Sequence, residues 1–283
     1  MTNLTHGSTQ RHREQPSAQR VITRHNALVF YGLAAASFLE TAIPLHANAL
    51  LDIFTDDQEV RRWIEQTWWP VKSAHARETR ACVEAIWPEF DWSSAYGEFY
   101  EGYRPLVCAG RASRSPAHEA LARSITAAQA AAFYRCLGTA TDDPEVRRLL
   151  YGMSGDASAH FDCFRRIYER RGRGERLGLL ATYRTIVTCA RRARDIDVQL
   201  AFSRLNTPHW YGSAPFSELG YRDFVLRMGE VVRRHVPLGL AQRLLFRPWL
   251  QARRLPLAPV PASAARGGRA LLPPQLQLGA SPR

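Results

Sequence analysis

The sequence contains almost no lysine. Of the 38 lysine and arginine side chains in its 283 residues, 37 are arginine and only Lys72 is lysine. Cysteine is sparse too: the five residues are odd in number, form no Cys-x-x-Cys pair and lie in apolar stretches. This pattern argues against a disulfide framework and against a cysteine zinc site, and it predicts a reducing, cytoplasmic location.

Long apolar runs are absent as well. The best candidate, residues 27–39, falls short of the roughly 20 apolar residues that a membrane-spanning helix needs, and it ends at Glu40. It follows a polar stretch and lacks a small-residue cleavage site, so no signal peptide is expected. No Gly-rich phosphate loop, G-x-S-x-G elbow or H-E-x-x-H segment occurs. The sequence therefore predicts neither a transmembrane segment nor any of these common catalytic sites.

Positive charge is concentrated in the C-terminal part of the chain. Residues 164–283 contain 22 arginines and seven acids, whereas residues 1–163 carry a net charge of −3 within an overall charge of +12. A basic surface of this kind attracts nucleic acid, anionic lipid or an acidic carrier protein. No pattern of a nucleic-acid-binding module is present, so we interpret most of these arginines as solvated side chains on helix surfaces.

Helical periodicity dominates the middle of the chain. Apolar residues recur at helical spacing over residues 25–254, with glycine or proline between segments, which predicts one all-α domain. The unpatterned ends, residues 1–24 and 255–283, are predicted to be disordered tails. The predicted helices span residues 26–54, 57–86, 117–138, 143–171, 176–204 and 217–235, with one short helix in the aromatic connection 89–116 and a short seventh helix after Pro237.

An internal repeat is the most informative pattern. The octapeptide TDDQEVRR at residues 55–62 recurs as TDDPEVRR at residues 141–148, an offset of 86, and His75 and His160 follow at an offset of 85. In both copies the first aspartate precedes a glutamate by three residues, which is the spacing of a helix N-cap. Capping explains the acids but not the arginine pair or the later histidine. We therefore interpret the chain as a duplicated helix hairpin.

Two such hairpins and the crossover between them predict a four-helix bundle over residues 26–171, with two or three additional helices over residues 176–254. The second predicted helix contains WWPVKSAHARE and the fourth contains MSGDASAHFDCFRRIYER. These segments resemble the histidine segments of the ferritin-like superfamily, whose di-iron carboxylate members include oxygenases and acyl-carrier-protein desaturases. In that family the second and fourth helices each carry Glu-x-x-His, and the first and third each contribute a carboxylate.

The resemblance places two histidines at ligand positions but replaces both partner glutamates. His75 stands in the second helix, with Lys72 where the glutamate belongs. His160 stands in the fourth helix, with Ala157 at the corresponding position. Asp156 matches the aspartate of the family segment, and we expect it to orient one of the two histidines as a hydrogen-bond acceptor.

Residue spacing indicates the two remaining ligand positions, on the first and third predicted helices. Glu40 interrupts an apolar face and lies 32 residues before Lys72, a usual separation between the first two ligand helices of the family. The repeat offset carries Glu40 onto Thr126, and no Asp or Glu occurs over residues 120–140. One carboxylate and two histidines are therefore the ligands that are left. A full di-iron centre is not expected, because three carboxylates are missing and an ammonium repels cations.

Two interpretations of this remnant stay open. In the first, Lys72 forms a salt bridge with Glu40 across the bundle, and the pair occupies the space of a lost metal centre. In the second, Glu40, His75 and His160 bind a single iron while Lys72 turns aside. A lysine that extends into solvent would remove the basis of the first interpretation.

Three hypotheses of function follow, and whether the chain is an enzyme stays open. It is a ferritin-like protein that has lost its di-iron centre and serves as a binding or assembly module. Alternatively, it is an oxidoreductase with a remodelled iron site that acts on small molecules or carrier-bound acyl chains. The third hypothesis is a structural bundle whose basic C-terminal region binds a membrane surface or nucleic acid. The expected cofactor is none or a single iron, and a homodimer is compatible with each hypothesis.

Overall fold

The computed structural model describes residues 17–109, 115–175, 179–192 and 197–235. Within these ranges the regular structure is helical, apart from one isolated bridge between Phe90 and Trp210, and the all-α prediction is confirmed. The helices are α1 (Ala18–Arg24), α2 (Ala27–Thr41), α3 (Ile43–Ile53), α4 (Gln58–Trp63), α5 (Trp69–Ile86), α6 (Trp92–Ala109), α7 (Pro116–Ala140), α8 (Pro144–Glu175), α9 (Leu179–Arg192), α10 (Gln199–Ser203) and α11 (Tyr221–His235), with a π turn at Ile64–Trp68 between α4 and α5.

The first predicted helix, 26–54, is two helices. α2 and α3 meet at Ala42 and are bent by 42° relative to each other. Pro44 lies in the first turn of α3, where it lacks an N–H group and its ring would clash with the carbonyl of Glu40 in a straight helix. Among the described residues no single helix has the length and apolar composition of a membrane span, and α2 and α3 reach both only when taken together.

The aromatic connection contains more helix than predicted, because α6 has 18 residues. Its aromatic side chains recur at helical spacing and pack against α2. Trp92 Nε1 donates to Ser37 Oγ at 2.8 Å, and the Phe99 ring stacks on Phe38 with centroids 5.5 Å apart. The crossover is therefore part of the hydrophobic core.

The N-terminal tail is shorter than predicted. Residues 18–24 form α1, and Ser17 caps this helix by accepting from the Arg20 amide. Arg24 Nη1 donates to the Ile86 carbonyl at 2.7 Å, which attaches α1 to the end of α5. Residues 1–16 lie outside the described ranges.

The C-terminal helices also differ from the prediction. Of the fifth predicted helix, 176–204, the structure describes α9 and α10, whereas residues 176–178 and 193–196 lie outside the described ranges. The sixth begins at Tyr221 and not at residue 217. The short helix after Pro237 and the tail at residues 255–283 lie outside the part of the chain that the structure describes.

Two antiparallel helix pairs form the core. In the first pair α2 packs against α5, and Phe30 of α2 lies in edge contact with Trp87 at a centroid distance of 5.1 Å. In the second pair α7 packs against α8, and Ser154 Oγ donates to the Ala131 carbonyl at 2.8 Å. The duplicated hairpin predicts two helix pairs of this kind, although α3 and α4 lie between the two helices of the first pair.

The two pairs meet where α2 crosses α7. A Cβ atom on Gly32 would lie only 2.6 Å from Leu137 Cδ1, so any larger residue there would force the Leu137 side chain to move. Glycine thus permits the close approach of these helices. Contacts between α5 and α8 join the pairs on the other side.

Both copies of the repeat begin a helix, but one residue later than the spacing of the acids predicts. Asp57 Oδ1 accepts from the Val60 amide at 3.2 Å, and Asp143 Oδ1 accepts from the Val146 amide at 3.2 Å. The capping residue is therefore the second aspartate of each pair. In the second copy it is buried, and it also faces Arg20 Nε at 3.7 Å.

The position of this cap can be tested with two neighbouring aspartates. Asp143→Ala should lower the free energy of unfolding by about 1–2 kcal/mol, because two amides at the start of α8 lose their acceptor. Asp142→Ala, at an exposed position, is the matched control and should have little effect. Urea unfolding at neutral pH measures both, and equal losses would contradict the assignment.

Candidate functional site

Glu40 is buried at the inner face of α2, and only 3% of its surface is exposed. Its Oε1 atom accepts hydrogen bonds from Lys72 Nζ of α5 and from the Tyr134 hydroxyl of α7. The Lys72 and Glu40 side chains thus form the salt bridge that the first interpretation predicted. Three helices meet at this carboxylate.

Lys72 does not extend into solvent, since only 11% of its side chain is exposed. The alternative of a solvent-directed lysine is therefore wrong for this structure. A buried ammonium without a partner is costly, because it loses its hydration. The carboxylate of Glu40 provides the opposite charge, so each residue makes the burial of the other tolerable.

His75 lies one turn after Lys72 and links Glu40 to the surface. Its Nε2 atom is 2.9 Å from Asp156 Oδ2 of α8, and its Nδ1 atom is 4.0 Å from Glu40 Oε2. The predicted orienting role of Asp156 therefore falls on His75. Since half of the Asp156 side chain is exposed, this chain of polar groups runs from the core to solvent.

Two buried atoms in this region lack a hydrogen-bond partner. They are Glu40 Oε2 and His75 Nδ1, and the 4.0 Å between them is too long for a direct hydrogen bond. Buried polar atoms are usually paired, so these two are exceptions within this site.

His160 is buried in the same core, with 6% of its surface exposed. Its ring contacts Trp63 and Trp68 edge to face, at centroid distances of 6.2 and 6.4 Å. Burial, followed by the electrostatic influence of Lys72 and His75, lowers the pKa of His160 to about 4. The ring is therefore neutral at physiological pH.

Tyr134 is the residue that sequence reasoning missed. It lies in an apolar part of α7, and the family resemblance predicts a carboxylate on that helix, not a phenol. Burial and the neighbouring Glu40 carboxylate raise the pKa of Tyr134 well above its usual value, so the phenol keeps its proton and donates a hydrogen bond to Glu40. We name Glu40, Lys72, His75, Tyr134, Asp156 and His160 the central cluster.

The two predicted replacement positions have different outcomes. Ala157 is buried, as the repeat predicts, whereas Thr126 is exposed and its hydroxyl donates to the Ala122 carbonyl of its own helix. The assignment of Thr126 to the bundle centre is wrong. The repeat offset places Thr126 as if both copies had the same shape. The first copy bends at Ala42 and α7 does not, so the same number of residues reaches a different helix face.

Metal-binding geometry is not present among the described residues, where no group of three His, Cys, Asp or Glu side chains converges suitably. The acid nearest to the predicted position on α7 is Glu119. Its Oε1 atom accepts from Arg123 Nε at 2.7 Å, so this carboxylate is paired within its own helix. Tyr134 is thus the polar residue that α7 contributes to Glu40.

A scan against protein-family models and searches of curated proteins and of solved structures find no match to this chain. The resemblance to the ferritin-like superfamily accordingly stays a prediction, and the site must be interpreted from its own geometry.

The energetic importance of the ion pair can be measured by a double-mutant cycle. Lys72→Met leaves the Glu40 carboxylate buried without its counterion and should lower the free energy of unfolding by about 3–5 kcal/mol. Adding Glu40→Gln should restore much of this loss, because no buried charge then remains. Arg233→Met, which removes an exposed pair with Glu230, is the control and should be nearly neutral. Similar losses for Lys72→Met and the control would contradict the account.

The lowered pKa of His160 predicts an acid-sensitive core. The unfolded chain takes up a proton on this histidine near pH 6.5, whereas the folded chain resists protonation down to about pH 4. The free energy of unfolding should therefore fall as the pH is lowered through this window, by up to about 3 kcal/mol from this group. His160→Phe should flatten that part of the pH profile in urea titrations. An unchanged slope would show that His160 titrates normally.

Proposed function

We propose that the chain is a ferritin-like helical-bundle protein of di-iron oxidoreductase ancestry in which an ion pair has replaced the metal centre. α2 with α5 and α7 with α8 would be its two hairpins, and α6 its crossover. In this proposal the protein acts as a binding or assembly module, and its centre stabilises the bundle.

One observation carries the proposal. Oε1 of Glu40 accepts from both Lys72 and Tyr134, so donors of the protein occupy one of the two oxygens that this carboxylate would offer to a metal. The ammonium supplies the positive charge that iron would supply in the family. Since Glu40, Lys72 and Tyr134 come from α2, α5 and α7, the two hydrogen bonds on Glu40 also hold three helices together.

The residues present do not fit a di-iron centre. Two irons need bridging carboxylates, and Glu40 is the one carboxylate that the described residues place against Lys72. Asp156 is half-exposed and contacts His75. Lys72 would also repel both cations.

A mononuclear iron oxidoreductase is the second candidate, and the two unpartnered buried atoms favour it. Glu40 Oε2 and His75 Nδ1 face each other across 4.0 Å, and the neutral His160 ring lies in the same core. These three side chains would supply two imidazoles and one carboxylate to a single ferrous ion. Lys72 would first have to leave Glu40, which is why this candidate ranks second.

Iron binding separates the two candidates. Purified chain, freed of metal, is titrated anaerobically with Fe(II), and bound iron and the thermal midpoint are measured. We expect less than stoichiometric iron and no rise of the midpoint for the wild type. Lys72→Glu restores Glu-x-x-His and places two carboxylates together, so Fe(II) should bind this variant and raise its midpoint.

Thr126→Glu is the matched control for this titration, because it adds the same carboxylate at an exposed position and should gain no iron. About one iron per wild-type chain would favour the mononuclear site, and about two would overturn the proposal. If Lys72→Glu gains no iron, residue 72 is not a former ligand position and the proposed ancestry fails.

A further inference from the structure

The two copies of the repeat differ in length by one residue between their helix start and their histidine. Asp57 and Asp143 cap equivalent helices at an offset of 86. His75 and His160 are both buried in the same core at an offset of 85. The first copy therefore contains one additional residue between its cap and its histidine.

The π turn lies within that interval. Its closing hydrogen bond runs from the Trp69 amide to the Ile64 carbonyl, five residues back, whereas an α-helix bonds four residues back. A single π turn therefore takes up one additional residue. In the second copy α8 is described as one uninterrupted α-helix over the equivalent stretch.

We infer that the π turn is a positioning device, which absorbs the additional residue and directs Lys72 and His75 towards Glu40. Each residue of an α-helix advances the direction of the side chain by about 100°. With the additional residue in a regular helix, both side chains would turn away from α2 and the ion pair would not form.

Pro70 gives a local reason for the π turn to form here. It follows Trp69 directly and has no N–H group, so it cannot donate to a carbonyl in the preceding turn, and its ring crowds the carbonyl four residues back. Glu65, Gln66 and Thr67 are exposed, while Ile64 and Trp68 are buried. These three residues lie at the outer side of the turn and make no core contact. One of them can therefore be removed without a loss of core packing.

The inference goes beyond the proposed function by identifying what positions the ion pair, and it rests on the helix register and on the contact of Lys72 with Glu40. Deletion of Gln66 should convert the π turn into regular α-helix while Lys72 and His75 keep their direction. Deletion of Gly155, an exposed residue where an added Cβ would meet no atom within 4 Å, is the matched control. It removes one residue from a regular helix and should rotate Asp156 and His160 relative to the preceding turns of α8.

The single lysine provides the measurement. An amine-reactive reagent labels residue 72 and the chain terminus, and digestion followed by mass spectrometry separates the two sites. In the wild type and the Gln66 deletion, Lys72 should label at least about tenfold more slowly than in urea-unfolded chain. In the Gly155 deletion this protection should be lost.

Circular dichroism and the thermal midpoint show whether each variant folds, and deletion of Thr67 is a second test of the same turn. The inference is overturned if both π-turn deletions expose Lys72 or lower the midpoint as much as the Gly155 deletion does. That result would leave the iron titration unaffected, so the failure of the register argument and the failure of the proposed function are distinguishable.

Discussion

A carboxylate buried within an apolar helix must find a positive partner, and this requirement organises the centre of the molecule. Glu40 lies in a mostly apolar helix and only 3% of its surface is exposed, so water has little access to its charge. Lys72 and Tyr134 provide donors from two other helices. Removing either charge of the pair alone leaves the other buried and unpaired, which costs more than the pair itself contributes. The ion pair therefore constrains which residues can occupy three helices at once.

Aromatic side chains pack around part of this centre. Trp63 and Trp68 contact the ring of His160, and Trp92 of α6 packs on Phe38 of α2. Exclusion of water strengthens the attraction between the charges and also lowers the pKa of His160. Asp156 is the point where the central cluster reaches solvent. The pairing of Lys72 with Glu40 and the packing of the aromatic side chains around the central cluster thus depend on each other.

Part of this arrangement was predictable from sequence because the repeat and the composition carry it. The sequence predicts the partners Lys72 and Glu40, because the chain has a lone lysine and an acid within an apolar helix. It also predicts the shared burial of His75 and His160, because the second histidine stands at the repeat offset from the first. Tyr134 was not predictable from a search for carboxylates, since a phenol performs the donor role. The predicted position of Thr126 is wrong because the first copy of the repeat bends at Ala42, so a constant residue offset does not identify equivalent positions on the two helices. The octapeptides predicted helix starts, but only the structure distinguishes the capping Asp143 from its neighbour.

The most direct test of the central claim is the resonance of the single lysine. Selective ¹⁵N labelling of lysine gives one side-chain ammonium signal, without overlap from other residues. If Lys72 is paired with Glu40 in a dry core, this signal exchanges slowly with water, shifts in Glu40→Gln and is unaffected by added Fe(II). A signal that exchanges as fast as that of free lysine, or that changes on addition of stoichiometric Fe(II), would contradict the replacement of the metal centre by an ion pair.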